Sequence, residues 1–206
     1  KELVESGLGI PKIARFMRLL REKGLDVMLV SSTESDYANA RYFSGFWPLF
    51  ERAGVAISAT GEAALMVGPE SAIFGADRNK LEKTFVLTAY REGADPAYPE
   101  LKPDTFADVF KYLKITGKKI RIGIASFLDT SVVIFNAIRD AFPEAEIVDA
   151  GKIMVELRSI KSENELNCLR EGYRIANIAT EEVIKAIRPG MTELQMVGVA
   201  QKAVYE

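Results

Sequence analysis

The sequence of 206 residues contains no histidine and a single cysteine, Cys168. Without histidine, the chain can hold neither a Ser-His-Asp nor a Cys-His nucleophile system, and no zinc site with histidine ligands. One cysteine allows no internal disulfide, no Cys-x-x-Cys redox pair and no cysteine-rich metal site. Chemistry by these residues alone would therefore rest on Asp, Glu, Lys, Arg, Ser, Thr or Tyr. A cysteine content this low is typical of proteins from the reducing cytoplasm.

Long apolar runs and an excess of one charge are also missing. No run reaches the roughly 18 apolar residues of a membrane-spanning helix, and no signal-peptide pattern opens the sequence. The 27 basic and 29 acidic residues give a net charge of -2, whereas a nucleic-acid-binding domain normally carries a basic excess. The densest basic stretch, 12–23, interleaves with apolar residues at helical spacing, which is typical of a solvated helix face. We expect neither a nucleic-acid partner nor a membrane partner.

The order of the predicted strands and helices indicates an α/β fold. The apolar run at 26–31 predicts a strand buried on both faces, and the runs 53–58 and 63–67 predict a hairpin. We expect a mixed sheet of five or six strands flanked by helices. The other predicted elements are helices over 11–23, 33–45, 104–114 and 129–142, strands over 84–90, 119–125 and 145–148, a loop over 95–103 and an ambiguous segment over 71–83.

The pattern changes after Val148, beyond which no strand is predicted. Ser162 with Glu165 and Thr192 with Gln195 each match a capping box, so two amphipathic helices should begin there. Their apolar stripes have no sheet of their own to cover, which indicates a second domain that is only partly present. We expect a first domain over 1–150, a linker over 151–162, and the first helices of an incomplete second domain over 163–206.

One segment, 42–52, concentrates five aromatic residues and an arginine between a helix end and a strand start. Aromatic residues and arginine are enriched in contact surfaces, but the same loop could also fold over the sheet and bury its aromatics. Trp47, Phe50 and Arg52 are the candidate contact residues. No motif identifies a catalytic residue or a metal ligand.

Several stretches resemble the creatinase, prolidase and Xaa-Pro aminopeptidase family. The sequence Asn-Ala-Arg-Tyr-Phe-Ser-Gly-Phe at 39–46 is similar to that family's Asn-x-x-Tyr-hydrophobic-Ser/Thr-Gly-aromatic turn. The stretch 157–165 resembles its Arg-x-x-Lys-Ser-x-x-Glu signature, and 188–193 resembles its Pro-Gly-x-Thr-Glu helix end. The resemblance covers nearly the whole chain. It implies an N-terminal domain joined to the start of the family's "pita-bread" metallohydrolase domain.

The resemblance also implies a function for the full-length parent. In this family, two divalent metal ions (Mn, Co or Zn) are held by Asp, Asp, His, Glu and Glu of the C-terminal domain, and they activate a water for attack on an amide carbon. All five ligands lie downstream of the family's counterpart of Glu206, so this fragment should hold no metal and be inactive. The parent is expected to be a cytoplasmic, homodimeric Xaa-Pro peptidase of the prolidase or aminopeptidase P type, acting on small peptides.

The same resemblance gives the aromatic segment a role. A loop of the N-terminal domain can edge the active site of the partner subunit, and in creatinase an aromatic-Gly-Arg element helps hold the substrate. Phe50-Glu51-Arg52 stands at a similar place, although it has Glu for Gly and a shorter loop. Trp47, Phe50 and Arg52 are therefore expected at a substrate edge or at a contact with the partner subunit.

Three alternatives remain open from the sequence. The parent could be a creatinase-like hydrolase of a non-peptide C–N bond, or a non-catalytic family member that binds proteins. The chain could also be an unrelated α/β domain. Metal ligands encoded downstream of Glu206 would favour an enzyme, and their absence would favour a binding module.

Overall fold

The computed structural model describes residues 10–92, 102–117 and 119–206. The chain divides into two compact units, Lys1–Leu157 and Arg158–Glu206. Most of the loop expected over 95–103 lies outside the described residues. The helices are α1 (Ile10–Glu22), α2 (Ala38–Ser44), α3 (Ala72–Arg78), α4 (Phe106–Tyr112), α5 (Val132–Ala141), α6 (Gly151–Ser159), α7 (Glu163–Ala186) and α8 (Glu193–Tyr205), and the strands are β1 (Val27–Ser32), β2 (Ala53–Ser58), β3 (Ala63–Val67), β4 (Thr84–Val86), β5 (Arg121–Ile124) and β6 (Glu146–Asp149).

The first unit is built on one six-stranded sheet with the order β4-β3-β2-β1-β5-β6. Strands β1, β2 and β3 pair antiparallel, whereas the β3–β4, β1–β5 and β5–β6 pairs are parallel. In the centre of the sheet, Val30 pairs with Val55, and Leu29 pairs with Ile124. This mixed sheet flanked by helices confirms the fold class predicted from the sequence.

Both faces of the sheet are buried, which explains why β1 reads as a nearly continuous apolar run. Met28 and Val30 belong to one apolar core, together with Phe16 of α1. Val27 and Leu29 point to the opposite face and belong to a second core, which the phenylalanines of α4 also fill. The strand alternation therefore feeds two cores, one on each side of the sheet.

Some helix and strand ends differ from the prediction because local turns use the residues expected to be caps. The Thr33 hydroxyl accepts a hydrogen bond from the Asp36 N–H at 3.1 Å within a turn, and α2 begins only at Ala38. The cap of α5 is Ser131 rather than Asp129, so that helix begins three residues later than expected. The strand expected over 84–90 ends at Val86 and is followed by a 3₁₀ turn at Thr88–Tyr90.

The segment expected to be a linker, 151–162, contains helix α6. Its Ile153, Met154 and Leu157 are at most 3% exposed and pack in the core that also holds Phe16 and Val30. The first compact unit therefore extends to Leu157 rather than ending near residue 150, because this helix completes its core.

The second unit contains α7 and α8, and it confirms both capping boxes. The side chains of Ser162 and Thr192 accept hydrogen bonds from the backbone N–H groups of Glu165 and Gln195. Both helices expose large apolar side chains, including Tyr173 at 70% and Leu194 at 81%. No helix among the described ranges is both long and apolar enough to cross a membrane.

Candidate functional site

The candidate contact residues lie in the segment 46–52, here called the aromatic loop, between the end of α2 and the start of β2. Gly45 ends α2 with a φ of 72°, and its N–H donates to the Arg41 carbonyl at 2.8 Å. The Ser44 hydroxyl donates to the Ala40 carbonyl at 2.8 Å and accepts from the Phe46 N–H at 3.1 Å. These bonds fix the direction in which the chain leaves the helix.

Trp47 is half-buried and lies against two cationic side chains. The Arg41 guanidinium carbon lies 4.5 Å from the centre of the indole ring, and that of Arg78 lies 5.8 Å away. Such contacts each contribute about 0.5–1 kcal/mol at exposed sites. They tie the aromatic loop to the last turns of both α2 and α3.

Phe50 and Trp47 line the same small hollow, together with Phe74 and Arg78 of α3. Its volume of about 10 Å³ corresponds to roughly one water molecule, so the hollow is too small for a substrate. The surface beside it is apolar: Leu49 is 53% exposed, Phe74 41% and Ile73 81%. This side of the loop has the features of a protein contact surface more than those of an enclosed binding pocket.

Glu51, between Phe50 and Arg52, is fully buried. Its Oε2 accepts a hydrogen bond from the Ser71 N–H at 2.8 Å, whereas Oε1 has no hydrogen-bond partner among the described residues. Burial raises the pKa of this carboxyl, and hydrogen bonds from Ser71 and from the Glu70 backbone oppose that rise.

Arg52 is not among the residues that line the hollow, and its surroundings are polar. Its backbone N–H donates to the Tyr90 carbonyl at 3.2 Å, and its buried side-chain Nε has no hydrogen-bond partner among the described residues. Burial and the nearby Asp36 raise the pKa of Asp129, and the Arg52 charge opposes that rise. Arg52 thus lies within electrostatic reach of Asp129, which follows the carboxyl end of β5.

The structure therefore brings two of the three predicted residues together and separates the third. Trp47 and Phe50 line the apolar hollow, and Arg52 belongs to the polar region near Asp129. Sequence reasoning missed Glu51, Arg41 and Arg78. Only the helical position of Arg41, one turn before Gly45, could have signalled its contact with the loop.

The chain belongs to the family described as "Creatinase/Prolidase N-terminal domain", whose sequence pattern matches residues 12–160. Creatinase from Bacillus sp. (strain B-0618) is 24% identical over 184 residues, which cover 88% of this chain and 41% of the relative. This chain thus spans less than half the length of that relative. The matched residues include both the aromatic loop and the six strands.

Solved structures of prolidase-type enzymes share the fold. Prolidase from Pyrococcus furiosus superposes with a TM-score of 0.66 at 19% identity, covering 93% of this chain and 52% of that one. The X-Pro aminopeptidase from Thermotoga maritima MSB8 gives a TM-score of 0.66 at 23% identity, with coverages of 94% and 48%. The fold is therefore that of the N-terminal domain of prolidase- and creatinase-type enzymes.

The described residues do not fit the dinuclear metal centre that the family resemblance implies. Within the ranges that the structure describes, no three His, Cys, Asp or Glu side chains lie close enough to hold a metal ion. Asp36 and Asp129 interact electrostatically, but two carboxylates beside an arginine do not supply a metal ligand set.

Proposed function

We propose that this chain is the N-terminal domain of a Xaa-Pro peptidase-type dinuclear metallohydrolase, in which it forms part of a homodimer contact and one edge of the substrate site. The family membership and the shared fold support this assignment. The proposal includes a cytoplasmic location, which the low cysteine content favours. It includes no nucleic-acid or membrane partner.

The observation that carries the proposal is the exposure and composition of the aromatic loop. Trp47, Phe50 and Arg52 are each only partly buried, so their side chains remain available to a partner. Trp and Arg are the residue types most enriched in binding hot spots. The loop is also anchored at its start by the Ser44 hydroxyl, and an anchored loop loses less conformational entropy on binding.

The second unit is, in this proposal, the start of the catalytic domain, and two divalent metal ions such as Mn, Co or Zn would be held by residues outside this chain. The exposed apolar side chains of α7 and α8 support this role, because such surfaces normally pack against further structure. The 206-residue chain by itself should then be inactive.

The test is an assay of the longest natural form of the protein that carries this chain, loaded with Mn²⁺ or Co²⁺. We expect hydrolysis of Xaa-Pro dipeptides, and we expect Arg52→Ala to lower kcat/KM by about 10- to 100-fold, as for loss of a hydrogen bond to a charged group. Arg139→Ala is the matched control, because Arg139 is exposed on α5 and its guanidinium donates to the Asn136 side-chain oxygen of the same helix. Equal activity of Arg52→Ala and the unmodified protein would refute the substrate-edge role.

One observation favours a second candidate, a creatinase-like hydrolase of a non-peptide C–N bond. The creatinase relative matches 88% of this chain, and Phe50-Glu51-Arg52 resembles the aromatic-Gly-Arg element of creatinase. Assaying creatine beside Xaa-Pro dipeptides distinguishes the two enzymes. No turnover of either substrate, with metal bound, would instead favour a non-catalytic protein-binding member of the family.

The dimer contact can be tested on the 206-residue chain by sedimentation velocity. We expect concentration-dependent self-association that Trp47→Ala weakens by about tenfold or more, as for removal of a hot-spot residue. Leu128→Ala is the control, since Leu128 is fully exposed but lies after β5 and outside the aromatic loop. A chain that stays monomeric at high concentration would contradict the dimer contact.

A further inference from the structure

Glu51 is a charged side chain in a place where charges are seldom found. It is 0% exposed, although it lies between Phe50 and Arg52, which are both partly exposed. Burying a carboxylate is unfavourable unless hydrogen bonds replace its lost water. A buried glutamate inside a loop of candidate contact residues therefore requires a structural reason.

The contacts of Glu51 supply that reason. Its Oε2 accepts from the Ser71 N–H at 2.8 Å, across 20 positions of sequence. Ser71 is the residue before α3, and its own side chain makes no cap hydrogen bond. The Ser71 N–H also donates to the Gly68 carbonyl at 3.2 Å, so the carboxylate accepts the shorter branch of a shared hydrogen bond at the start of α3.

Gly68 makes the space that the carboxylate occupies. A Cβ at residue 68 would overlap the Glu51 carboxylate carbon and both of its oxygens. The φ of Gly68 is not in the left-handed region, so the backbone conformation does not require glycine here. The absence of a side chain at residue 68 is explained by the position of Glu51.

This contact links the aromatic loop to the helix that completes the apolar hollow. Phe74 and Arg78 of α3 line the hollow with Trp47 and Phe50, and Arg78 also lies over the Trp47 ring. Holding the start of α3 against residue 51 therefore fixes the surroundings of Trp47 and Phe50.

We propose that Glu51 is a positioning residue, which fastens the aromatic loop to the start of α3 and thereby holds Phe50 and Arg52 in place for their contacts. The role of Phe50 and Arg52 as contact residues rests on the proposed function. The effect of Glu51 on the structure of the aromatic loop can be measured independently of that function. Glu51 itself is not expected to contact substrate. It acts through the loop.

The experiment uses Trp47, the only tryptophan of the chain, as a reporter of loop structure. Glu51→Gln keeps an oxygen that can accept from the Ser71 N–H, whereas Glu51→Met keeps only the volume of the side chain. Replacing a buried charge by an apolar side chain of similar size is often tolerated, so Glu51→Met should fold. We expect acrylamide quenching of Trp47 to rise about twofold in Glu51→Met, as for a loop that opens locally, and to stay unchanged in Glu51→Gln.

Two outcomes would overturn the proposal: unchanged quenching in Glu51→Met, or an equal rise in both variants. Gly68→Ala provides a second route, because it displaces the carboxylate while Glu51 itself remains, and it should raise quenching as Glu51→Met does. Glu70→Gln is the control, since Glu70 is exposed and neighbours the same site.

Kinetics of the longest natural form then separate the two hypotheses. If positioning and function are both correct, Glu51→Met should raise KM as Arg52→Ala does, and Glu51→Gln should restore it. A quenching effect without any kinetic effect of Arg52→Ala would leave the positioning role intact and refute the proposed function. A kinetic effect of Arg52→Ala without a quenching effect of Glu51→Met would support the proposed function and refute the positioning role of Glu51.

Discussion

The guanidinium of Arg41 lies over the indole ring of Trp47, with its central carbon 4.5 Å from the ring centre. Arg41 belongs to the last turn of α2, and Trp47 is the second residue of the aromatic loop. The pair therefore connects the helix to the loop beyond the sharp turn at Gly45, and it orients the most distinctive side chain of the candidate contact surface.

Replacing Arg41 by methionine should loosen Trp47 without changing the volume beside it greatly. We expect a loss of stability of about 0.5–1 kcal/mol and a higher accessibility of Trp47 to acrylamide. Arg78→Met is the matched comparison and should have the smaller effect, because its guanidinium carbon lies 5.8 Å from the ring centre. Denaturant unfolding and quenching measure both quantities. A larger effect of Arg78→Met would show that the shorter contact is not the stronger one.

Glu62 should make the free energy of unfolding of the first unit depend on pH in the acid range. Hydrogen bonds from Thr60 and Ser58 and the ammonium of Lys114, which lies 3.0 Å from Oε1, lower the pKa of its carboxyl to about 2. Because the folded pKa lies below the unfolded value, this stabilisation is fully present above about pH 4.5 and is lost as the pH falls towards 2.

Glu62→Gln should therefore lower the free energy of unfolding at pH 7 by on the order of 1–2 kcal/mol and should flatten its dependence between pH 4.5 and pH 2. Urea unfolding at a series of pH values tests this. Glu146→Gln is the control, because the Glu146–Arg121 pair is exposed and such pairs contribute little. If the free energy of unfolding falls equally between pH 4.5 and pH 2 in the unmodified chain and in Glu62→Gln, Glu62 is not the source of the acid dependence.

Gly54 should not tolerate a side chain. A Cβ at this position would lie 2.8 Å from the Val30 carbonyl oxygen and 2.5 Å from the Tyr90 hydroxyl, in the centre of the sheet. We expect Gly54→Ala to destabilise the first unit by about 1–3 kcal/mol. Gly172→Ala in α7 is the contrasting variant, because its Cβ meets nothing within 4 Å, and it should stabilise that helix by about 0.5–1 kcal/mol. Thermal unfolding of the two variants should shift in opposite directions.

A chain that ends at Leu157 should be markedly more stable than one that ends at Ala150. The longer chain keeps Ile153, Met154 and Leu157, which are buried in the core of the first unit. Losing these three side chains should lower the free energy of unfolding by about 3 kcal/mol or more. Equal cooperativity and equal denaturation midpoints for the two chains would show that α6 is not part of the unit.

The sheet and its flanking helices could be predicted because their signals are local. The apolar run of β1 and the two capping boxes are read from neighbouring residues, and these elements are found where they were predicted. The early start predicted for α5 was wrong because Asp129 and Ser131 are both good caps. Only the turn at Ser126, whose carbonyl accepts from the Asp129 N–H, excludes Asp129 from the helix.

The candidate site was less predictable because its important contacts are distant in sequence. The residue composition indicated Trp47, Phe50 and Arg52, but it could not show whether they are buried or available. The burial of Glu51 depends on Gly68 and Ser71, which lie 17 and 20 positions further along the chain. No local pattern distinguishes that glutamate from an exposed one.

The central claim is that Arg52 lies at an edge of the substrate site, and we propose that this site is the one in the partner subunit, which subunit complementation tests most directly. In the longest natural form, Arg52→Ala subunits would be mixed with subunits that carry Arg52 but lack a metal ligand of the catalytic domain. Each mixed dimer then holds one complete site, so random mixing should recover about a quarter of the activity of the unmodified protein. Activity that stays at the mean of the two inactive parents would contradict the claim, because it would place Arg52 and the metal centre that it serves in the same subunit.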